Sequence, residues 1–120
     1  MNHLISLISP GQLIRAFSNS LAGLKLAIKS ERAFQQEVVL LAAGSVAAFI
    51  LTDVTVERAL MIGSLALVLI VELLNSAVES AIDRVSTEKH PLSKNAKDLG
   101  SAAVLISLVT AAAIWVIILI

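Results

Sequence analysis

The chain has 120 residues, 58% of them hydrophobic and only 15% charged, with a mean hydropathy of +0.92. Soluble domains sit near about 45–50% apolar, and a chain this short cannot hide such an excess from water, so the composition excludes an ordinary water-soluble globule. Nine basic residues balance nine acidic ones and aromatics are 3%, which excludes a nucleic-acid surface; with no cysteine and only His3 and His90, disulfide frameworks, thiol catalysis and histidine-rich metal sites are excluded too.

The opening run MNHLISLISPG has no basic residue ahead of its short apolar stretch and does not read as a cleaved signal peptide. Over residues 11–30, Ile14, Phe17, Leu21, Leu24 and Ile28 share one helical stripe, while Arg15, Ser18, Ala22, Lys25 and Lys29 fall mostly opposite. This pattern suits a helix lying in the membrane interface or packed on a helical bundle, and the two are compatible. Residues 33–52 predict the first spanning helix, with Gln35, Gln36 and Glu37 at its interfacial end. TDVTVER (52–58) is a short polar turn, enough to reverse the chain between antiparallel helices.

A second span is predicted over 58–85, apolar from Ala59 until Glu72. VSTEKHPLSKNAK (85–97) reads as a loop, and Ser93 is placed to cap a third span over 93–120, uncharged from Leu99 onward. There Ala103, Ser107 and Ala111 recur every four positions, which suits close helix contact but equally the generic packing of membrane helices. The expected architecture is therefore an all-α membrane protein, a single domain over 1–120, with an amphipathic surface helix and three membrane helices. Eight of the nine basic residues (Arg15, Lys25, Lys29, Arg32, Arg84, Lys89, Lys94 and Lys97) fall on one side of these spans and Arg58 on the other. The rule that basic loops stay inside puts that side in the cytoplasm and the C-terminus outside.

Chemistry concentrates in VELLNSAVESAIDR, Val71 to Arg84. At about 100° per residue, Glu72, Asn75, Glu79 and Asp83 lie on one helical face, joined by Ser76. An acidic group in hydrocarbon costs on the order of 2.5–3.5 kcal/mol, so a stripe of them calls for a return. Solvated carboxyls at an emerging helix end are the alternative for Asp83 and Glu79. It suits Glu72 less well, because Leu69, Ile70, Val71, Leu73 and Leu74 surround it. Asn75 and Ser76 also suit hydrogen bonding between helices. Clustered oxygens without histidine or cysteine favour a hard cation such as magnesium. Glu31 and Glu37 in SERAFQQE and Lys97-Asp98 in KNAKDLGSAA add carboxylates and a cation on the same side. Glu72, Glu79, Glu31, Lys97 and Asp98 together would supply a base, metal ligands and a phosphate partner, the parts that phosphoryl transfer requires. No GxxxxGK[ST] loop and no HRD or DFG set is present.

ERAFQQE, VELLNSAVESAIDR and KDLGSAAVL, in that order and spacing, resemble the bacterial membrane-integral diacylglycerol kinase family from about Gly11 onward. The resemblance implies a homotrimer in the bacterial inner membrane that transfers the γ-phosphate of magnesium-ATP to a lipid hydroxyl at the cytoplasmic face. It implies Glu72 as general base, supported by Asn75, with Asp83 orienting the site. Glu31 and Glu79 would hold the magnesium ion, and Lys97, Asp98, Glu88 and His90 would lie at the nucleotide. Gln36, Glu37 and Ser101 would lie near the lipid. The chain departs from related sequences at Gln12 (often arginine), Asn19 (often aromatic) and Gln35 (a basic residue in their FRQE run).

Three readings remain open at the level of residues. The resemblance supports diacylglycerol as substrate, with undecaprenol as the alternative lipid. A small ion-coupled transporter would use Glu72 as a relay, but the acids cluster towards one side and the third span is uncharged. A purely structural membrane subunit would leave the carboxylate stripe without a reason.

Overall fold

The computed structural model describes residues 3, 4, 7 and 9–120, so residues 1, 2, 5, 6 and 8 of the opening run lie outside the described residues. Four long helices are present among them: α1 (Pro10–Ser30), α2 (Arg32–Leu51), α3 (Thr55–Val85) and α4 (Pro91–Leu119). The chain divides into two compact units, residues 1–35 and 36–120.

In the first unit, α1 carries Pro10 in its first turn, where proline's missing N–H costs nothing. Ile14, Phe17, Leu21, Leu24 and Ile28 are all exposed. Only Glu31, in extended conformation, separates α1 from α2; its N–H donates to Ala27 O at 2.9 Å, and its carbonyl accepts from Gln35 N at 3.0 Å. The Gln35 side chain donates to Ile28 O at 2.6 Å across the same junction.

The second unit is built on an α3–α4 hairpin. Lys97 meets Asp83 near the connecting loop, Gly100 lies against Asn75, and Trp115 Nε1 donates to Met61 O at 3.1 Å at the far end. As one residue number rises the other falls, so the two helices run antiparallel. Met61 and Val68 are fully buried, and Leu65, Val68 and Ala111 form the core with Leu41 and Trp115 against it. Two buried hydroxyls are satisfied within their own helices: Ser64 donates to Met61 O and Ser107 to Val104 O, each at 2.7 Å. The rest of α2 packs antiparallel to α3. A Cβ on Gly44 would overlap the Leu65 side chain and stand 3.5 Å from the Trp115 ring, so glycine there permits the close approach.

The turn ends differ from the spacing-based limits in a physically clear way. The α2–α3 turn is only Thr52–Val54, and α3 starts three residues before 58. Thr52 Oγ1 accepts from Val54 N at 3.2 Å and bonds the Glu57 carboxylate, while Arg58 donates to Thr52 O at 2.8 Å and Phe49 O at 3.1 Å and stacks 4.5 Å from the Phe49 ring. Arg58 thereby satisfies two carbonyls left open at the end of α2. Ser93 is not the cap of α4. His90 is, its Nδ1 accepting from Leu92 N at 3.1 Å, and Pro91 occupies the first helical position. Ser93, Lys94 and Lys97 are therefore helical, and the α3–α4 loop is Ser86–His90.

Three helices, α2, α3 and α4, are long and apolar enough to cross a membrane, by length and composition. Large apolar side chains exposed along them, such as Leu60, Ile70, Val109 and Ile117, fit a membrane protein, whose solvent is lipid.

Candidate functional site

The carboxylate stripe of α3 is graded by burial. Glu72 is 7% exposed, Asn75 and Ser76 are half-buried, and Glu79 and Asp83 are exposed. Solvation accounts for the last two as readily as function does; it does not account for Glu72. On the rise of an α-helix, Glu72 stands about 21 Å along α3 from Arg58 and Glu79 about 31 Å.

The α2–α3 register brings a second carboxyl to Glu72. Phe49 faces Arg58 and Gly44 faces Leu65, so residues whose numbers add to near 109 are opposed. Extended towards the other end, that register sets Glu37 opposite Glu72, and the two carboxyls interact electrostatically. Glu37 Oε2 is buried without a hydrogen-bond partner. Sequence reasoning grouped Glu37 with the α3 acids but did not pair it with Glu72. The signal that could have found it is the short turn, which opposes residues at similar distances on either side.

Asn75 links the buried and exposed parts of the stripe. Its Nδ2 donates to Glu79 Oε1 at 3.4 Å, and its Oδ1 is buried without a partner, pressed against the backbone of α4 at Gly100. Gly100 escaped the sequence reading, although it stands inside the KDLGSAAVL run.

Beyond Glu79 the hairpin opens into a cleft of about 690 Å³, lined by Asp83, Glu88, His90, Lys94, Lys97 and Asp98 among others. Five of the residues singled out in the sequence thus share one cavity. Lys97 Nζ donates to Asp83 Oδ1 at 2.7 Å across the hairpin, and Lys94 Nζ to Asp98 Oδ2 at 2.6 Å along α4. All four side chains keep substantial exposure, so the ammonium groups remain reachable from the cleft. Glu88 N donates to Ser86 Oγ at 3.0 Å, shaping the loop that forms one wall.

Ser101 is exposed beside Gly100, and Gln36 is exposed at the start of the second unit. Glu31 belongs to the first unit, at the α1–α2 junction. Among the described residues no three acidic or histidine side chains converge as a ready-made metal cage. The donors at the site are carboxylate and amide oxygens with a facing ammonium, a set suited to a hard cation that arrives with its own oxygen ligands.

The sequence pattern of the family described as prokaryotic diacylglycerol kinase matches residues 18–119. A diacylglycerol kinase of Pseudomonas aeruginosa is 50% identical over 108 residues, covering 90% of this chain and 88% of its own length. That of Escherichia coli K12 is 46% identical over 109 residues, with 90% and 88% covered. That of Haemophilus influenzae is 47% identical over 103 residues, with 86% and 87% covered. The match runs through the α3 stripe, the cleft loop and the start of α4 together, and the chain belongs to the prokaryotic diacylglycerol kinase family.

Proposed function

We propose that the chain transfers the γ-phosphate of ATP to the hydroxyl of diacylglycerol, giving phosphatidic acid and ADP. Beside family membership, the observation that carries this reading is Glu72, a carboxyl 7% exposed within an apolar stretch of α3. In the proposed step the lipid hydroxyl oxygen attacks the γ-phosphorus as Glu72 takes its proton. The bond from the γ-phosphorus to the bridging oxygen breaks, and ADP departs with that oxygen. A positioned general base of this kind contributes about 10²–10⁴-fold in rate.

The remaining residues divide by distance from that proton. Asn75 steadies the stripe and Asp83 holds Lys97. Lys97, Asp98, Glu88 and His90 would take the nucleotide in the cleft. Gln36, Glu37 and Ser101 would lie at the lipid headgroup. Magnesium bound with the nucleotide would neutralise charge on the transferring phosphoryl group. Glu79 would hold it, in keeping with magnesium's habit of taking one or two carboxylates and completing its shell with phosphates and water.

α1 would lie in the interface on its apolar stripe, the cleft would face the cytoplasm of a bacterial inner membrane, and the C-terminus would lie outside. Three copies would assemble, as the family resemblance implies.

The test is phosphorylation by the purified chain in mixed micelles with γ-labelled ATP, offered diacylglycerol or undecaprenol in separate arms. Magnesium-dependent label in phosphatidic acid is expected. Label confined to undecaprenyl phosphate would move the assignment to the alternative lipid, and label in neither would overturn the lipid-kinase reading.

A further inference from the structure

The five glycines are not equivalent. A Cβ on Gly23 or Gly63 would meet open space, and one on Gly11 an ordinary neighbour at 3.7 Å. At Gly44 it would collide with apolar packing. At Gly100 it would overlap Asn75 Oδ1 and stand 3.3 Å from Asn75 Cγ, so here the group displaced is polar and belongs to the site.

We propose that Gly100 is a positioning residue for the kinase reaction: the absence of a side chain leaves the slot that holds the Asn75 amide and turns its nitrogen toward Glu79. The proposal rests on the reading of Glu79 as a magnesium ligand. Asn75, not α4, would give way if the slot were filled: Oδ1 is the tip of a rotatable side chain, whereas α4 is a helix tied to α3 through Trp115 and Met61 at 3.1 Å. The amide orientation is also determined. With Nδ2 donating to Glu79 at 3.4 Å, Oδ1 must face Gly100 and stays buried without a partner. The opposite orientation would set a carbonyl oxygen against a carboxylate. Gly100 offers Oδ1 no hydrogen bond, so the buried acceptor is an uncompensated cost. That cost is intelligible if the amide nitrogen is what the site needs, since partners that orient a metal ligand change metal affinity or activity by about 10–100-fold.

The test uses the full chain as Gly100→Ala, Asn75→Ala, the double variant and Gly44→Ala, each followed by a magnesium titration of diacylglycerol phosphorylation and by thermal unfolding without metal. Gly100→Ala and Asn75→Ala are each expected to raise the magnesium midpoint by about 10–100-fold, and the double variant no further. Shortening Asn75 empties the crowded slot, so the double variant should recover the thermal stability that Gly100→Ala loses. Gly44→Ala should lower stability and leave the magnesium midpoint alone. The proposal is overturned by a normal midpoint in Gly100→Ala, by losses that multiply in the double variant, or by an equal midpoint shift in Gly44→Ala. Should Gly100→Ala fail to fold, a folded double variant supports the slot and an unfolded one rejects it. Absence of lipid phosphorylation in the unmodified chain would instead sink the kinase reading, with the stability rescue still deciding whether the slot exists.

Discussion

Side chains on one face of a helix need not share one environment, and the α3 stripe separates them by depth. Glu72 is enclosed, Asn75 is half-enclosed and Glu79 is open to the cleft end. Under the proposed mechanism this gradient would suit different tasks for chemically similar acids: a base where water is scarce, and a cation ligand where a nucleotide would bring its own metal. Glu79→Gln keeps the shape and a hydrogen-bond acceptor for Asn75 but removes the charge. The midpoint for magnesium activation is expected to rise by about tenfold or more, while the lipid KM stays near its original value. A magnesium titration at saturating ATP measures this, and an unchanged midpoint would remove Glu79 from the metal. The stripe itself was legible because Glu72, Asn75, Glu79 and Asp83 lie on one helix, where period alone fixes the face. The opposition of Glu37 to Glu72 was not, because it depends on how two helices are registered by a turn of three residues.

At the scale of elements, each end of the second unit has its own fastening. At the turn end, Arg58 takes the Phe49 and Thr52 carbonyls, stacks on Phe49 and approaches Asp53 at 3.4 Å. Arg58→Ala should therefore destabilise the fold by about 1–2 kcal/mol. Activity per folded molecule should stay unchanged, because Glu72 is about 21 Å away along α3. Thermal unfolding in detergent set beside specific activity reads both. At the cleft end, the exposed Lys97–Asp83 pair contributes about 0.2–1 kcal/mol to stability. Lys97→Met should thus melt within a few degrees of the original chain, yet raise the ATP KM on the order of tenfold or more through loss of a charge-assisted phosphate contact. A KM that stays put would leave Lys97 a staple only. The helix starts were the least legible part of the fold. Pro91 looked like part of a loop, whereas it opens α4 behind a histidine cap, a role for which serine at position 93 was the more obvious candidate.

For the whole molecule, lengths and charges agree. At about 1.5 Å per residue, α3 and α4 are each roughly 45 Å long, against a hydrocarbon core of about 30 Å. Both therefore outreach the apolar layer, and the excess falls at the end carrying Glu79, Asp83, Lys97 and Asp98. The uncharged 99–119 stretch of α4 alone accounts for about 31 Å, so a span filled by that stretch would leave the cleft at the edge of the apolar layer. The chain contains no cysteine, which makes single-cysteine topology mapping direct. In intact cells, a membrane-impermeant thiol reagent should label Val54→Cys in the α2–α3 turn and should reach Ser86→Cys in the α3–α4 loop only after lysis. The reverse pattern would invert the orientation drawn from the basic residues.

In the proposed mechanism Glu72 accepts the proton of a lipid alcohol. The most direct measurement is phosphatidic acid formation from diacylglycerol and γ-labelled ATP by the original chain and by Glu72→Gln, compared at equal amounts of folded protein. The original chain should form product, and Glu72→Gln should lose about 10²–10⁴-fold in kcat while keeping its fold. Turnover in Glu72→Gln within a few-fold of the original chain would rule out Glu72 as the base.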